Sequence, residues 1–313
     1  PAEQVAICRV LGEHGDDSAA AVLMRLLDTP PPVAGAAAGA LKKLGQHADA
    51  GLFEALRDGG SSRRQMLLPL IHPRSRATED VVACLQDPDP EVRGAACDAL
   101  ARIGNPAAAA TLFALLADGN ARVVQAAVGA LQSLGSAETE ALTLAAARDE
   151  NPQIRRAALR IIAYFGYRSA LGLLLEELRS DDARLRDGAI AGLPFLEHPT
   201  AMAALLDVAR HDSSGARAAA MRALGQCPAE PAVTACLHAA LADPDAWVRY
   251  YACQSLGKLA WEPAAAPIAA LLHDPAGQVR VAVVEALSHM RGHVAFTALR
   301  EGDVAAHVGE GLD

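Results

Sequence analysis

Large rings are scarce in this chain: its 313 residues include five Phe, four Tyr and two Trp, about 4% of the total. Also missing is any apolar run near the ~18 residues needed to span a bilayer, so no membrane partner is expected. Pro1-Ala2-Glu3 has neither the basic start nor the apolar stretch of a secretory signal. Positive charge is in deficit. Lys and Arg number 28 against 37 Asp and Glu, a formal charge of −9. Binding a phosphate backbone needs clustered Lys and Arg, so nucleic acid is not an expected partner.

Chemical signatures are missing too. The chain has no G-x-S-x-G, P-loop or G-x-G-x-x-G, and no paired acid and base that would license catalysis. None of Cys8, Cys84, Cys97, Cys227, Cys236 and Cys253 forms a C-x-x-C pair. Cys8, Cys97 and Cys253 share one helical register and read as small hydrophobic residues, and reduced thiols of a cytoplasmic protein are the simplest account of the set. His289 and His293 are four apart, but Gly292 lies between them where a helix should end, and only His307 is a nearby third ligand. A structural metal site takes four ligands, so neither metal nor cofactor is expected. His211 and His273 each precede a turn Asp, where a donor near a helix C-terminus is the simplest account.

What the chain does have is a period. Val92-Arg93, Ile154-Arg155, Leu185-Arg186, Ala216-Arg217, Val248-Arg249 and Val279-Arg280 recur, with degenerate copies at Val33-Ala34, Arg63-Arg64 and Val123-Val124. The steps between these headings run from 29 to 32 residues. A fixed period in this range is the mark of stacked repeats. It overrides the length prior of two globular domains and predicts one array over residues 1–313. The start at Pro1 without Met and the Gly309–Asp313 end suggest a segment of a longer chain.

Each unit reads as two short helices. In one, Asn105-Pro106 opens a first helix running to Ala117, Asp118-Gly119-Asn120 breaks it, and a second helix runs from Ala121 to Leu134. Gly135 is expected in the left-handed position that ends it. Asp89, Asn120, Asn151, Asp182, Ser213 and Asp245, three before their headings, are N-cap types. Gly45, Gly104, Gly135 and Gly166, twelve after, are helix stops. Glu3–Gly15 fits a lone second helix. Core positions are expected at heading-plus-three (Ala36, Ala95, Ala126, Ala157, Ala219, Ala282) and heading-plus-eight (Leu11, Leu41, Leu100, Leu131, Leu193, Leu224, Leu256, Leu287).

The opening D-P-D-P-x-V-R of Asp87–Arg93, with echoes at Asp243–Arg249 and Asp274–Arg280, resembles the HEAT-like repeat of the phycobilisome-lyase type. The resemblance covers nearly the whole chain. It implies an all-α, right-handed superhelical solenoid of about nine two-helix repeats plus an N-terminal half repeat. It also implies that Asp87, Asp118, Asp149, Asp212, Asp243 and Asp274 pair with arginines of neighbouring turns. Similar repeats serve bilin lyases, deoxyhypusine hydroxylase and a DNA alkyl-base glycosylase. The iron ligands of the hydroxylase come from His-Glu dipeptides, which this chain lacks. The expected function is a non-catalytic scaffold, adaptor or regulatory domain that binds a protein on a concave face. A bilin-lyase-like subunit is the alternative, and DNA binding comes third.

Departures from the repeat point to candidate sites. Pro69 and Pro73 should shorten or bend a second helix beside Arg63, Arg64, Arg74 and Arg76, which could form a hinge or a small anionic contact. Pro194 should kink another. Positions two, six and ten after a heading should face away from the first helices. There stand Arg156, Arg160, Tyr164, Asp187, Arg222, Tyr250, Gln254 and Lys258. Trp247, one before its heading, and Tyr251, in place of a small residue, complete the partner-binding candidates. The competing structural reading lays Trp247 over Trp261 or the adjacent turn.

Overall fold

The computed structural model describes residues 2–75 and 78–290, and among them there are helices and no strands. Arg76, Gly292, His293, His307 and Gly309–Asp313 lie outside the described residues. Among the described residues a lone helix, Ala2–His14, precedes nine helix pairs. In each pair a shorter first helix, such as Pro231–Ala239, leads into a second helix, such as Ala246–Lys258. The chain divides into two compact units, Pro1–Ile161 and Ile162–Asp313. Within each unit, second helices pack on second helices: Pro90–Ile103 on Ala121–Leu134 in the first, Ala246–Lys258 on Gly277–His289 in the second. No described helix is long and apolar enough to cross a membrane.

Local chemistry sets the helix starts. Asp89, Asn120, Asn151, Asp182, Ser213 and Asp245 each accept a backbone N–H two or three residues on, as at Asp245, whose Oδ1 takes Trp247 N at 2.8 Å and Val248 N at 3.3 Å. That occupies donors the helix itself cannot satisfy. The stops are less uniform. Gly45, Gly104 and Gly166 have φ of 59°, 72° and 66°. Gly135 does not take the expected left-handed conformation, with φ 17° and ψ 97°. The first helix expected over 107–117 is broken into a 3-10 turn at Pro106–Ala108, an α-helix at Ala109–Ala114 and a 3-10 turn at Leu115–Ala117.

The core follows the register with two corrections. The heading-plus-eight leucines from Leu41 to Leu287 are buried, but Leu11 on the lone helix is half-buried. Heading-plus-three is only partly interior, since Ala36, Ala95 and Ala126 are half-buried. The deepest small residues come one later: Ala37, Ala96, Ala127, Ala158, Ala189, Ala220 and Ala252 are all 0% exposed. A helical residue one step round turns by about 100°. The heading-plus-four side chain therefore points well away from its half-buried neighbour and into the interior. All six cysteines are free and buried. Burial pushes the Cys97 and Cys253 thiols up to about 12 and Cys227 up to about 11.

An arginine ladder ties successive turns, though not at every implied rung. Arg64 pairs with Asp87 at 2.8 Å, Arg93 with Asp118 at 2.7 Å, Arg217 with Asp243 at 2.8 Å and Arg249 with Asp274 at 2.7 Å. Arg93, Arg217 and Arg249 grip both carboxylate oxygens. The Arg93 hydrogen bond holds the Asp118 carboxyl below its ordinary range. At Asp87, Asp243 and Asp274 burial pushes upward, and the hydrogen bonds from arginine and backbone, led at Asp87 by that of the Ser61 hydroxyl, outweigh it to the same net effect. Asp149 has no such rung because Val124 stands where the arginine would be, and its Oδ1 takes Asn151 N. Asp212 Oδ1 takes Ser213 N, while its carbonyl accepts from Arg217.

The prolines act as expected. The helix Ser61–Leu67 stops short and passes into a 3-10 turn at Leu68–Leu70, and Ala183–Gly192 does so at Leu193–Leu196. Two arginines of the first irregular unit, Arg63 and Arg64, are spent within the chain. Arg63 reaches Asp28 and the Met24 carbonyl, and Arg64 holds Asp87 and the carbonyls of Leu56 and Arg57. Neither is left for the anionic contact considered from sequence.

Candidate functional site

A groove of about 340 Å³ opens in the second unit along three second helices, Ala183–Gly192, Ser214–Leu224 and Ala246–Lys258. Its floor comes from the middle helix, where Gly215, Ala218 and Ala219 carry at most a methyl group. Trp247 and Tyr251 form one wall, Asp187 comes from the preceding helix, and Arg222, Ser214 and Asp245 complete the lining. The small floor follows from sequence: residues that let neighbouring helices approach also leave a channel where long side chains stand on both sides.

The aromatic wall is one connected cluster. Trp247 packs edge-on against Tyr250 at 5.4 Å, Tyr250 against Tyr251 at 5.0 Å, and the Trp247 and Tyr251 rings are 6.3 Å apart. Asp245 fixes the backbone beneath Trp247 through the cap hydrogen bonds. Trp247 remains 52% exposed. It does not cover Trp261, which instead meets His238 at 6.0 Å. Tyr251 swings toward the preceding repeat, where the Arg222 guanidinium lies 5.7 Å from its ring centre, a cation–π arrangement. Asp187 is exposed and has no hydrogen-bond or ion-pair partner among the described residues.

The other expected residues are distributed more widely. Gln254 donates to the Tyr250 hydroxyl at 2.8 Å and approaches Glu285 at 3.4 Å, so it braces the aromatic wall. Burial first, and then Glu285, raises the Tyr250 phenol above its ordinary value, which keeps it a neutral acceptor. Lys258 is exposed and donates to Gln226 of the preceding repeat. Tyr164, 62% exposed, packs edge-on against Phe165, which stacks on Tyr167 at 5.1 Å. Arg156 and Arg160 belong to the first unit, where Arg160 donates to Gln125 at 2.6 Å and Arg156 is half-buried. Asp187 and Arg222 line the groove, and Tyr250 and Gln254 stand beside or behind its wall.

Two features were missed from sequence. Phe195 is 44% exposed at heading-plus-ten of its repeat, a position the register rule already singles out. The floor residues Gly215 and Ala218 carry no individual signal, because small residues recur throughout the chain. Among the described residues no group of three or more His, Cys, Asp or Glu side chains could hold a metal ion. His289, half of the suspected pair, hydrogen-bonds the Glu285 carbonyl of its own helix at 2.8 Å.

Paired helices stacked at this period define an α-helical repeat protein. The sequence pattern of HEAT repeats matches residues 78–143, 139–225, 205–288 and 231–304, and the chain belongs to that family. No curated protein matches it in sequence. Among solved structures it is similar to the karyopherin Kap121p bound to the SUMO protease Ulp1p, with 12% identity and a TM-score of 0.65 over 97% of this chain and 42% of that one. Kap95p with RanGDP gives 14% identity and a TM-score of 0.63 over 91% and 47%. The chain thus spans less than half the length of these karyopherins. The complex of CpcE and CpcF of phycocyanin lyase from Nostoc sp. PCC7120 gives 21% identity and a TM-score of 0.44 over 75% and 95%.

Proposed function

We propose that this chain is a non-catalytic interaction scaffold that holds a protein partner against the second-helix face of its second unit, centred on the Trp247 groove. The observation that carries this reading is a large ring left half in solvent beside a floor of Gly and Ala, in a chain with two Trp in all. Trp and Tyr are enriched where interfaces concentrate their binding energy. The exposed Tyr164 and Phe195, also in the second unit, extend the same reading. The karyopherins similar in fold were solved with proteins bound, a use this repeat architecture suits because neighbouring helix pairs build long continuous faces.

Affinity capture with the wild type, Trp247→Ala and Asp207→Ala tests this. Asp207 is exposed on the first helix Pro199–His211. A partner captured by the wild type and by Asp207→Ala should bind Trp247→Ala more weakly by about 2 kcal/mol, with little change in melting temperature. Full retention by Trp247→Ala, or its unfolding, would assign Trp247 to packing and remove the site.

A further inference from the structure

We infer that the Trp247 groove seats one basic side chain, Lys or Arg, of the partner's docking segment. This rests on the reading that the second-helix face docks a protein. The first ground is shape. About 340 Å³ is at the small end of ligand clefts, which run from roughly 300 to 1,000 Å³. The Gly215, Ala218 and Ala219 floor offers a smooth apolar strip on which an aliphatic stem can lie with its charged end in the open mouth.

The second ground is charge. From residue 162 onward the chain has eighteen Asp and Glu against twelve Lys and Arg. Several of those bases are already committed. Arg217 and Arg249 hold Asp243 and Asp274, Arg168 meets Glu197, and Lys258 meets Gln226. Within the groove Arg222 lies over Tyr251, whereas the Asp187 carboxylate faces the space without a partner. An arriving cation would find a carboxylate and an exposed indole, the aromatic face that attracts cations most strongly. The Arg222–Tyr251 contact is the same kind of pairing, made within the molecule. An arriving anion would have to draw Arg222 off its ring and sit beside Asp187. An apolar side chain could pack on the floor and the indole, but it would strip water from Asp187 and leave that carboxylate unpaired.

Fluorescence anisotropy tests this with a fluorescein-labelled Gly-Ser peptide bearing a central Arg-Lys-Arg and a counterpart bearing Glu-Glu-Glu, at about 0.15 M salt. The proteins are the wild type, Asp187→Asn, Trp247→Ala, Arg222→Gln and Asp207→Asn, each first shown to be folded by thermal melting. The basic peptide should bind the wild type. Asp187→Asn and Trp247→Ala should each weaken it on the order of tenfold. Arg222→Gln should leave binding equal or tighter, and Asp207→Asn should leave it unchanged. Equal losses from Asp187→Asn and Asp207→Asn would mean diffuse attraction and overturn the seat, as would no binding of the basic peptide. Preferred binding of the Glu peptide, lost in Arg222→Gln, would also overturn it. That last result leaves the scaffold reading standing, because partner capture would still depend on Trp247. Capture that ignores Trp247, or unfolding of Trp247→Ala, removes both.

Discussion

Ala260 holds φ at 47°, twelve residues after its heading Val248, where Gly45, Gly104 and Gly166 hold 59°, 72° and 66° in their own repeats. Glu197 occupies the same register at φ 47°. Five repeats place a residue of positive φ there, two of them without glycine, and a Cβ in that conformation is strained. Ala260→Gly should therefore stabilise the chain by about 1 kcal/mol, less the extra freedom glycine gains when unfolded. A urea midpoint that stays level or falls would show that the strain is relieved elsewhere. The cap residues needed no such comparison. Asp89 and Asp245 bond to amides two and three residues away, so their role was readable from a few neighbouring letters. Ala260 and Glu197 were unreadable because neither residue type announces the conformation.

Between elements, the second helices meet by a fixed rule. A Cβ on Gly257 would lie 2.5 Å from Ala286 Cα, one on Gly12 would lie 2.8 Å from Ala40 Cα, and one on Gly225 would meet Ser255. In each case heading-plus-nine of one helix abuts heading-plus-seven of the next. Backbone cannot yield cheaply, so Gly257→Ala should cost about 2 kcal/mol. Gly129 lies inside the helix Ala121–Leu134 with nothing within 4 Å of a Cβ, so Gly129→Ala should instead gain roughly 0.5–1 kcal/mol from helix propensity. Chemical denaturation of both variants checks the pair, and a gain at Gly257 would mean the helices can part without loss. Sequence alone could not separate these two glycines, since the difference lies in a helix about thirty residues away.

At the scale of the whole molecule the arginine ladder makes stability depend on acid. Asp87, Asp118, Asp243 and Asp274 are held below their ordinary values in the fold, so the unfolded chain takes up protons more readily. That contribution is complete above about 3.9, the ordinary Asp value, and is lost as pH falls through the lower folded values. The melting temperature should therefore drop steeply below about pH 4. Asp118→Asn should be less stable at neutral pH and should lose less on acidification. An unchanged slope in that variant would show that the rung does not govern the acid limb. The two units also differ in character. All four Tyr and both Trp fall from residue 162 onward, which puts the exposed aromatic surface in one unit.

Period, helix pairs, caps and the leucine register could be read from the letters because each depends on neighbours within one or two helical turns. So could the ladder, through its resemblance to known repeats, although Val124 had to be noticed to see that Asp149 lacks its rung. Tertiary structure decided what depends on separations of a repeat or more. It placed Arg222 over Tyr251, turned Trp261 to His238 rather than to Trp247, and left Asp187 without a partner beside a floor of Gly215 and Ala218. It also moved the deepest alanines from the third to the fourth position after each heading. A period specifies which residues recur, but a groove is made by the residues that do not, and their partners are chosen by packing between repeats.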